Sequence, residues 1–193
     1  MTMPSWVPEI EDKPAPMPLL LAQSFVNTLD RGLGTDVFAK DDDARAWLVE
    51  SGLLTREAAD RAAASDLDVA RQARESIRAL IGRDRLTAAE LAPLESVLAV
   101  AQPPLDVTPD GQILLCPGPA DRLMDGLVIL LIIIRDAQGD GTWDRLKLCG
   151  NPDCHWAFYD RTHSRRGMWC DMATCGNRIK NRNLRARQRQ NRS

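Results

Sequence analysis

Four cysteines in the last third of the chain carry its clearest chemistry. Cys149 and Cys154 are separated by four residues, fifteen residues follow, and Cys170 and Cys175 repeat the spacing. Four soft thiolates suit a tetrahedral zinc ion and leave no coordination position open to water, so the chemistry is structural and not hydrolytic. Two disulfides are the alternative, which fits a secreted chain. The stretch before the apolar Met17–Val26 carries Glu9, Glu11 and Asp12 and no basic n-region, so the expectation is a reducing cytoplasm. One structural zinc ion is then expected on Cys149, Cys154, Cys170 and Cys175. His155 adjoins Cys154 and is awkwardly placed to replace a thiolate; it and His163 read as loop residues or phosphate contacts. Cys116 stands apart and reads as a buried strand thiol.

The second set of reactive groups is cationic. At helical spacing Arg178, Arg182, Arg185 and Arg189 fall on one face, with Lys180 and Arg187 opposite. Ile179 and Ala186 offer only a thin apolar edge, so packing alone cannot hold this helix. It is expected to be pinned at its start by the metal and to extend into solvent or onto a polyanion. Guanidinium groups grip phosphates in pairs of hydrogen bonds and read guanine edges. Asn177, Asn181 and Asn183 add amides, and Arg161, Arg165 and Arg166 add charge on a turn. The expected nucleic-acid contacts are Arg161, Arg165, Arg166, Asn177, Arg178, Lys180, Arg182, Arg185 and Arg189. Trp156 and Trp169 read as braces of the metal knuckle.

The net charge of −2 over 193 residues conceals this set. Residues 144–193 hold twelve Lys and Arg against four Asp and Glu, which leaves thirteen basic and twenty-three acidic residues in 1–143. An acidic body with a basic end is a pattern that meets nucleic acid. The longest apolar run, Leu127–Ile134, is far short of a membrane span. No nucleophile–base pair, phosphate-cradling glycine loop or paired-carboxylate signature stands out, so no enzyme is expected.

The elements that must position these residues read mostly as helices. Residues 1–18 are Pro-rich and suggest a loose, flexible arm. Leu19–Asp30 suits a helix ended by Gly32 and Gly34, and Asp41–Asp43 open another through Leu48. Thr55 caps a short helix to about Ala64. Asp66–Ile81 is the clearest amphipathic helix, with Arg71, Arg74 and Arg78 read as a solvated stripe. Thr87 and Glu90 form a capping box towards Ala101, with a kink or later start at Pro93. Pro103-Pro104 breaks the run before a hairpin of Leu105–Val107 and Gln112–Leu115. Asp121–Ala137 reads as a buried helix, whose apolar Leu127–Ile134 either covers the core or forms a self-association face. Trp156–Asp160 and Met168–Cys170 read as a second hairpin. The expected fold class is mostly α with a small β-hairpin. It divides into the arm (1–18), a helical domain (19–140) and a four-cysteine zinc module of hairpin and basic helix (143–193).

Leu148-Cys149-Gly150-Asn151-Pro152-Asp153-Cys154, Phe158-Tyr159-Asp160, Arg165-Arg166, Trp169-Cys170-Asp171-Met172-Ala173 and Cys175-Gly176-Asn177-Arg178 resemble the CGNR zinc finger, named for its Cys-Gly-Asn-Arg string. Upstream, Phe25-Val26-Asn27-Thr28-Leu29-Asp30, Trp47-Leu48 and Gly52-Leu53-Leu54 are similar to the ABATE domain that accompanies this finger in bacteria. The resemblance implies a stress-induced transcription regulator, with an N-terminal domain that senses a ligand or partner. The expected function is a zinc-dependent, DNA-binding regulator in the cytoplasm, associated with the nucleoid, without membrane contact and able to form a homodimer. An RNA-binding zinc module is the alternative, as is a small-molecule-binding or enzymatic N-terminal domain with the finger as scaffold.

Overall fold

The computed structural model describes residues 3–82, 86–101, 105–115 and 119–190. Pro103-Pro104 and Cys116, and the side chains of Asn183 and Ala186, fall outside it.

Helix α1 (Leu19–Asn27) is the hub, and all nine of its residues are buried. Its leucines, Ala22, Phe25 and Val26 supply the apolar surface, while the buried Gln23 and Asn27 leave polar groups that must find partners. Leu29–Asp30 does not continue it, although the periodicity predicts a helix through Asp30. These residues form β1, which pairs with β2 (Thr35–Asp36) around a glycine turn. Asp30 Oδ1 accepts from Leu33 N at 2.9 Å, a local bond that competes with helix.

Against α1 pack α4 (Ala64–Gly82) and α6 (Leu123–Asp140), and α2 (Asp41–Glu50) through Trp47; α3 (Arg56–Arg61) packs on α2, and α5 (Ala88–Ala101) on α4 and α6. Asp41–Asp43 lie in the first turn of α2, where carboxylates favour the helix dipole. Thr55 caps α3, accepting from Ala58 N at 3.2 Å. The capping box of α5 is formed, with Glu90 Oε2 accepting from Thr87 N at 2.8 Å and Thr87 Oγ1 from Glu90 N at 3.3 Å. The helix starts before Pro93 and runs through it. The expected hairpin is present as β3 (Leu105–Val107) and β4 (Ile113–Leu115). Leu127, Val128, Leu130, Ile133 and Ile134 of α6 are core residues, while Ile129, Leu131 and Ile132 are half-buried against them. No helix among the described residues is long and apolar enough to cross a membrane.

The arginine stripe of α4 corrects the solvated reading. Arg74 and Arg78 are buried. Arg74 forms a bidentate pair with Asp36 at 2.6 and 2.8 Å. Arg78 donates to the backbone oxygens of Val26, Leu29 and His155. Arg71 is held by Asp41, Asp68 and the Phe38 carbonyl. Helical spacing finds the face but not its partners, most of which lie far along the chain, at Val26, Leu29, Asp36, Phe38, Asp41 and His155.

The Pro-rich arm is likewise packed where a loose segment was expected. Val7 and Ala15 are buried. Tyr159 N donates to Lys13 O at 2.9 Å, Arg161 Nη2 to Pro14 O at 2.8 Å and Lys13 Nζ to Trp169 O at 2.7 Å. Proline excludes helix, yet leaves the backbone carbonyls free to accept.

Within this arm Glu11 receives Asn27 Nδ2 at 3.0 Å and Trp156 Nε1 at 3.2 Å. Burial outweighs these donors and pushes its carboxyl up to about 7. The folded chain then binds a proton between about pH 4.5 and 7 that the unfolded chain does not. This contribution is fully present below the unfolded value and is lost as pH rises through the folded one. Stability from Glu11 therefore falls by at most about 3 kcal/mol from pH 4.5 to 7.5. Urea midpoints across that range test this, and Glu11→Gln should remove this part of the slope relative to the parent chain.

Candidate metal centre and basic helix

Strand β5 (Leu146–Leu148) pairs antiparallel with β6 (Ala157–Tyr159), and the Cys149–Cys154 knuckle is the turn between them. This corrects the expected pairing of Trp156–Asp160 with Met168–Cys170. Leu146 and Ala157 are fully buried in the main core, so pairing β5 with β6 buries apolar side chains that the expected hairpin leaves unpaired. The body grips β6 directly. Asn27 Oδ1 accepts from Ala157 N at 2.8 Å, and Asn27 Nδ2 and Gln23 Nε2 donate to Ala157 O at 2.8 and 3.2 Å.

The 161–169 segment is organised by Asp160. Its carboxylate accepts from Lys147 Nζ at 2.7 Å, Thr162 N at 3.0 Å and Gly167 N at 2.7 Å. Burial opposes ionisation here, but Lys147 and these donors prevail and hold the carboxyl well below the usual range. The chain then returns to the knuckle, where Gly150 N donates to Met168 O at 2.8 Å. Asp171 caps the next turn, accepting from Ala173 N at 3.0 Å and Thr174 N at 2.8 Å. A wide turn through Met172–Gly176 places Cys175 at the entrance of α7 (Asn177–Gln190).

These elements bring the four predicted cysteines together. Their sulfurs all lie within 4.8 Å of one another, and three of the four side chains are buried. Cys154 and Cys170 are 3.7 Å apart and Cys170 and Cys175 3.8 Å. Zinc–sulfur bonds of about 2.3 Å in a tetrahedron separate neighbouring sulfurs by about 3.8 Å, so the donor set fits that ion. A disulfide would need about 2.05 Å. Thiols packed this closely resist carrying several charges. Cys149 is pulled down to about 2 by the Cys154 and Cys170 thiols donating to it, and those donors are pushed up in turn, Cys154 to about 12. A divalent cation favours all four thiolates together.

Sequence reasoning missed the supports of the cluster. Asn151 is buried and points Nδ2 at Cys175 Sγ, 3.5 Å away, linking the two cysteine pairs. A Cβ on Gly176 would lie 2.4 Å from Met172 Sδ and 3.2 Å from the Trp169 ring, and one on Gly150 3.2 Å from the same ring. The glycine that follows the first cysteine and the one that follows the last thus make room for one indole. Their matched position after a cysteine was the available signal. Trp156 is buried with the cysteines and Trp169 packs against them, as expected. His155 does not join the four clustered thiols; its Nδ1 lies 3.5 Å from Arg31 Nη1.

The expected nucleic-acid contacts fall on two exposed stretches. Asn177, Arg178, Lys180, Arg182, Arg185 and Arg189 are exposed on α7, and Arg161, Arg165 and Arg166 on the loop before Cys170. Arg178, Asn181, Arg182, Arg185 and Arg189 line one groove of about 550 Å³. Arg182 also faces Asp153 of its own knuckle at 3.7 Å. Ile179 is the buried anchor of the helix.

A helical body joined to a four-thiol knuckle, itself continuous with a cationic helix, defines a protein with a metal-binding module set on a helical domain. Residues 145–188 match the CGNR zinc finger, and residues 20–137 match ABATE, described as "Putative stress-induced transcription regulator". The chain belongs to the ABATE family, with the finger following it. Neither is an enzyme family. No curated protein is similar enough to match this chain.

Proposed function

We propose that this chain is a DNA-binding transcription regulator, active in the cytoplasm, whose finger is folded by one structural zinc ion on Cys149, Cys154, Cys170 and Cys175. Helix α7 and the 161–166 loop meet DNA, and the body (19–140) receives the signal. The observation that carries this reading is the seating of α7. Its guanidinium groups are exposed and aligned, and its first turn is continuous with a metal-cluster cysteine. A rigidly based cationic helix can dock where a frayed tail cannot.

Binding to duplex DNA should depend strongly on salt. Four to six phosphate contacts give a slope of about −4 to −5 in log K against log salt. Arg178→Ala or Arg182→Ala should each weaken binding several-fold and reduce the slope by about 1. Fluorescence anisotropy across a salt series measures both. A salt-insensitive complex, or preference for RNA in direct competition, would turn the reading towards the alternatives.

A further inference from the structure

A cavity of about 860 Å³ opens where α4, the β1–β2 turn and the metal knuckle meet. Arg31, Arg74, Arg78 and His155 stand on its wall, and Glu75 stands among them. Arg74 has its own acid, Asp36. Arg78 does not: its Nη atoms are spent on carbonyls, and its buried Nε forms no hydrogen bond. The nearest acid to that Nε is Glu75, whose Oε2 lies 3.3 Å away. The same oxygen receives Arg31 Nη2 at 2.6 Å, and Glu75 Oε1 lies 3.3 Å from Arg74 Nε.

One carboxylate is therefore shared by three guanidiniums. Among the described residues, Arg31 and Arg78 have no other acidic partner. The exposure of the groups is unequal. The side chains of Arg74 and Arg78 are 4% and 3% exposed, whereas Glu75 is 39% exposed. Arg74 and Arg78 are fixed by burial, whereas Arg31, 40% exposed, and Glu75 stand at the rim, where Glu75 can turn out to solvent.

We propose that this junction binds the oxyanion head of a small metabolite, a phosphate or a dicarboxylate, which takes the place of the Glu75 carboxylate against Arg31, Arg74 and Arg78. A doubly charged head neutralises the cluster better than one carboxylate and offers oxygens in several directions to the converging N–H groups. Leu29, Pro93 and Leu148 supply apolar wall for the remainder of the molecule, and the volume suits a ligand of that size. Glu75 is the built-in occupant that the ligand displaces. Arg78 binds the carbonyl of His155, the residue after Cys154, at 2.8 Å, so the cavity touches the metal knuckle. That the occupant is reported to the finger rests on the proposed regulator reading; the binding site itself does not.

Calorimetric titration of the zinc-loaded full chain with sodium phosphate, and separately with succinate, at constant ionic strength tests the site without DNA. Saturable binding of one anion per chain is expected, and whichever anion binds identifies the head group. Glu75→Gln removes the internal competitor and should tighten binding about tenfold, while Arg31→Gln should weaken it about tenfold. Arg31 lies on the rim, so its variant keeps the test intact if Glu75→Gln folds poorly. Failure of both anions to saturate the parent chain, or binding that Arg31→Gln leaves unchanged, overturns the proposal. DNA affinity unchanged by saturating anion would remove only the coupling, and absence of DNA binding would leave the site standing.

Discussion

Cys170→Ser should release the metal and unfold the finger while the helical body stays folded. The small cluster of Cys149, Cys154, Trp156 and Cys175, with Trp169 and Cys170 against it, has little apolar area of its own. On the proposed reading its order comes from the ion. Metal binding in such modules supplies about 10–16 kcal/mol of folding free energy. Exchanging one soft thiolate for a hydroxyl should cost at least about a thousandfold in affinity, and the wide turn through Met172–Gly176 would then lose its anchor. The loss should stop at the knuckle. Strand β6 is held by Gln23 and Asn27 and by the arm, and Leu146, Ala157 and Tyr159 belong to the main core. Zinc per chain by mass spectrometry and helix content by circular dichroism are the measurements. The expected result is loss of zinc with loss of a helical signal the size of α7, and chelation of the parent chain should reproduce it. Retention of one tightly bound zinc ion in the variant would sink the assignment.

The two halves of the molecule differ in how openly the sequence displays them. The candidate metal ligands declare themselves because residue type and spacing carry most of the signal: Cys-x4-Cys written twice already suggests a four-thiol cluster, and the fold brings those four sulfurs together. The helices are legible for a similar reason, since their apolar period is local. Arg74 and Arg78 are not. A buried arginine and a solvated one look alike until the partner is known, and here the partners lie at Asp36 and His155. The arm fails in the same way. Five prolines exclude helix and sheet interior, but they carry no information on whether Lys13 O and Pro14 O will be used by Tyr159 and Arg161. The misassigned hairpin has a different cause. Leu146–Leu148 is too short to stand out as a strand, and its pairing is decided by burial of Leu146 and Ala157 in a core built by residues far upstream.

Gly126→Ala should be among the most damaging single substitutions in the body, against the sign that helix propensity gives. Gly126 lies in the first turn of α6, and in an open helix its replacement by alanine would stabilise by about 1 kcal/mol. Here an added Cβ would sit 1.9 Å from the carbonyl oxygen of Leu53 and 2.9 Å from its carbonyl carbon. Both atoms are backbone, so no rotamer change relieves the overlap. The Leu53 segment cannot withdraw easily either. Leu53 N donates to Leu48 O at 3.0 Å, and Thr55 N donates to Ala120 O at 3.1 Å, which ties this loop to the approach of α6. Either α6 shifts away from α1 and α4, opening the core around Leu127 and Leu130, or the loop breaks its bonds. Overpacking of this kind costs at least about 3 kcal/mol when backbone must move. At Gly139, in the same helix, an added Cβ would meet nothing within 4 Å, so this position serves as the matched control. Gly139→Ala should gain about 0.5–1 kcal/mol. Urea unfolding of the two variants should therefore move the midpoint in opposite directions. A Gly126→Ala midpoint equal to or above that of the parent chain would mean that α6 does not rest on the Leu53 carbonyl.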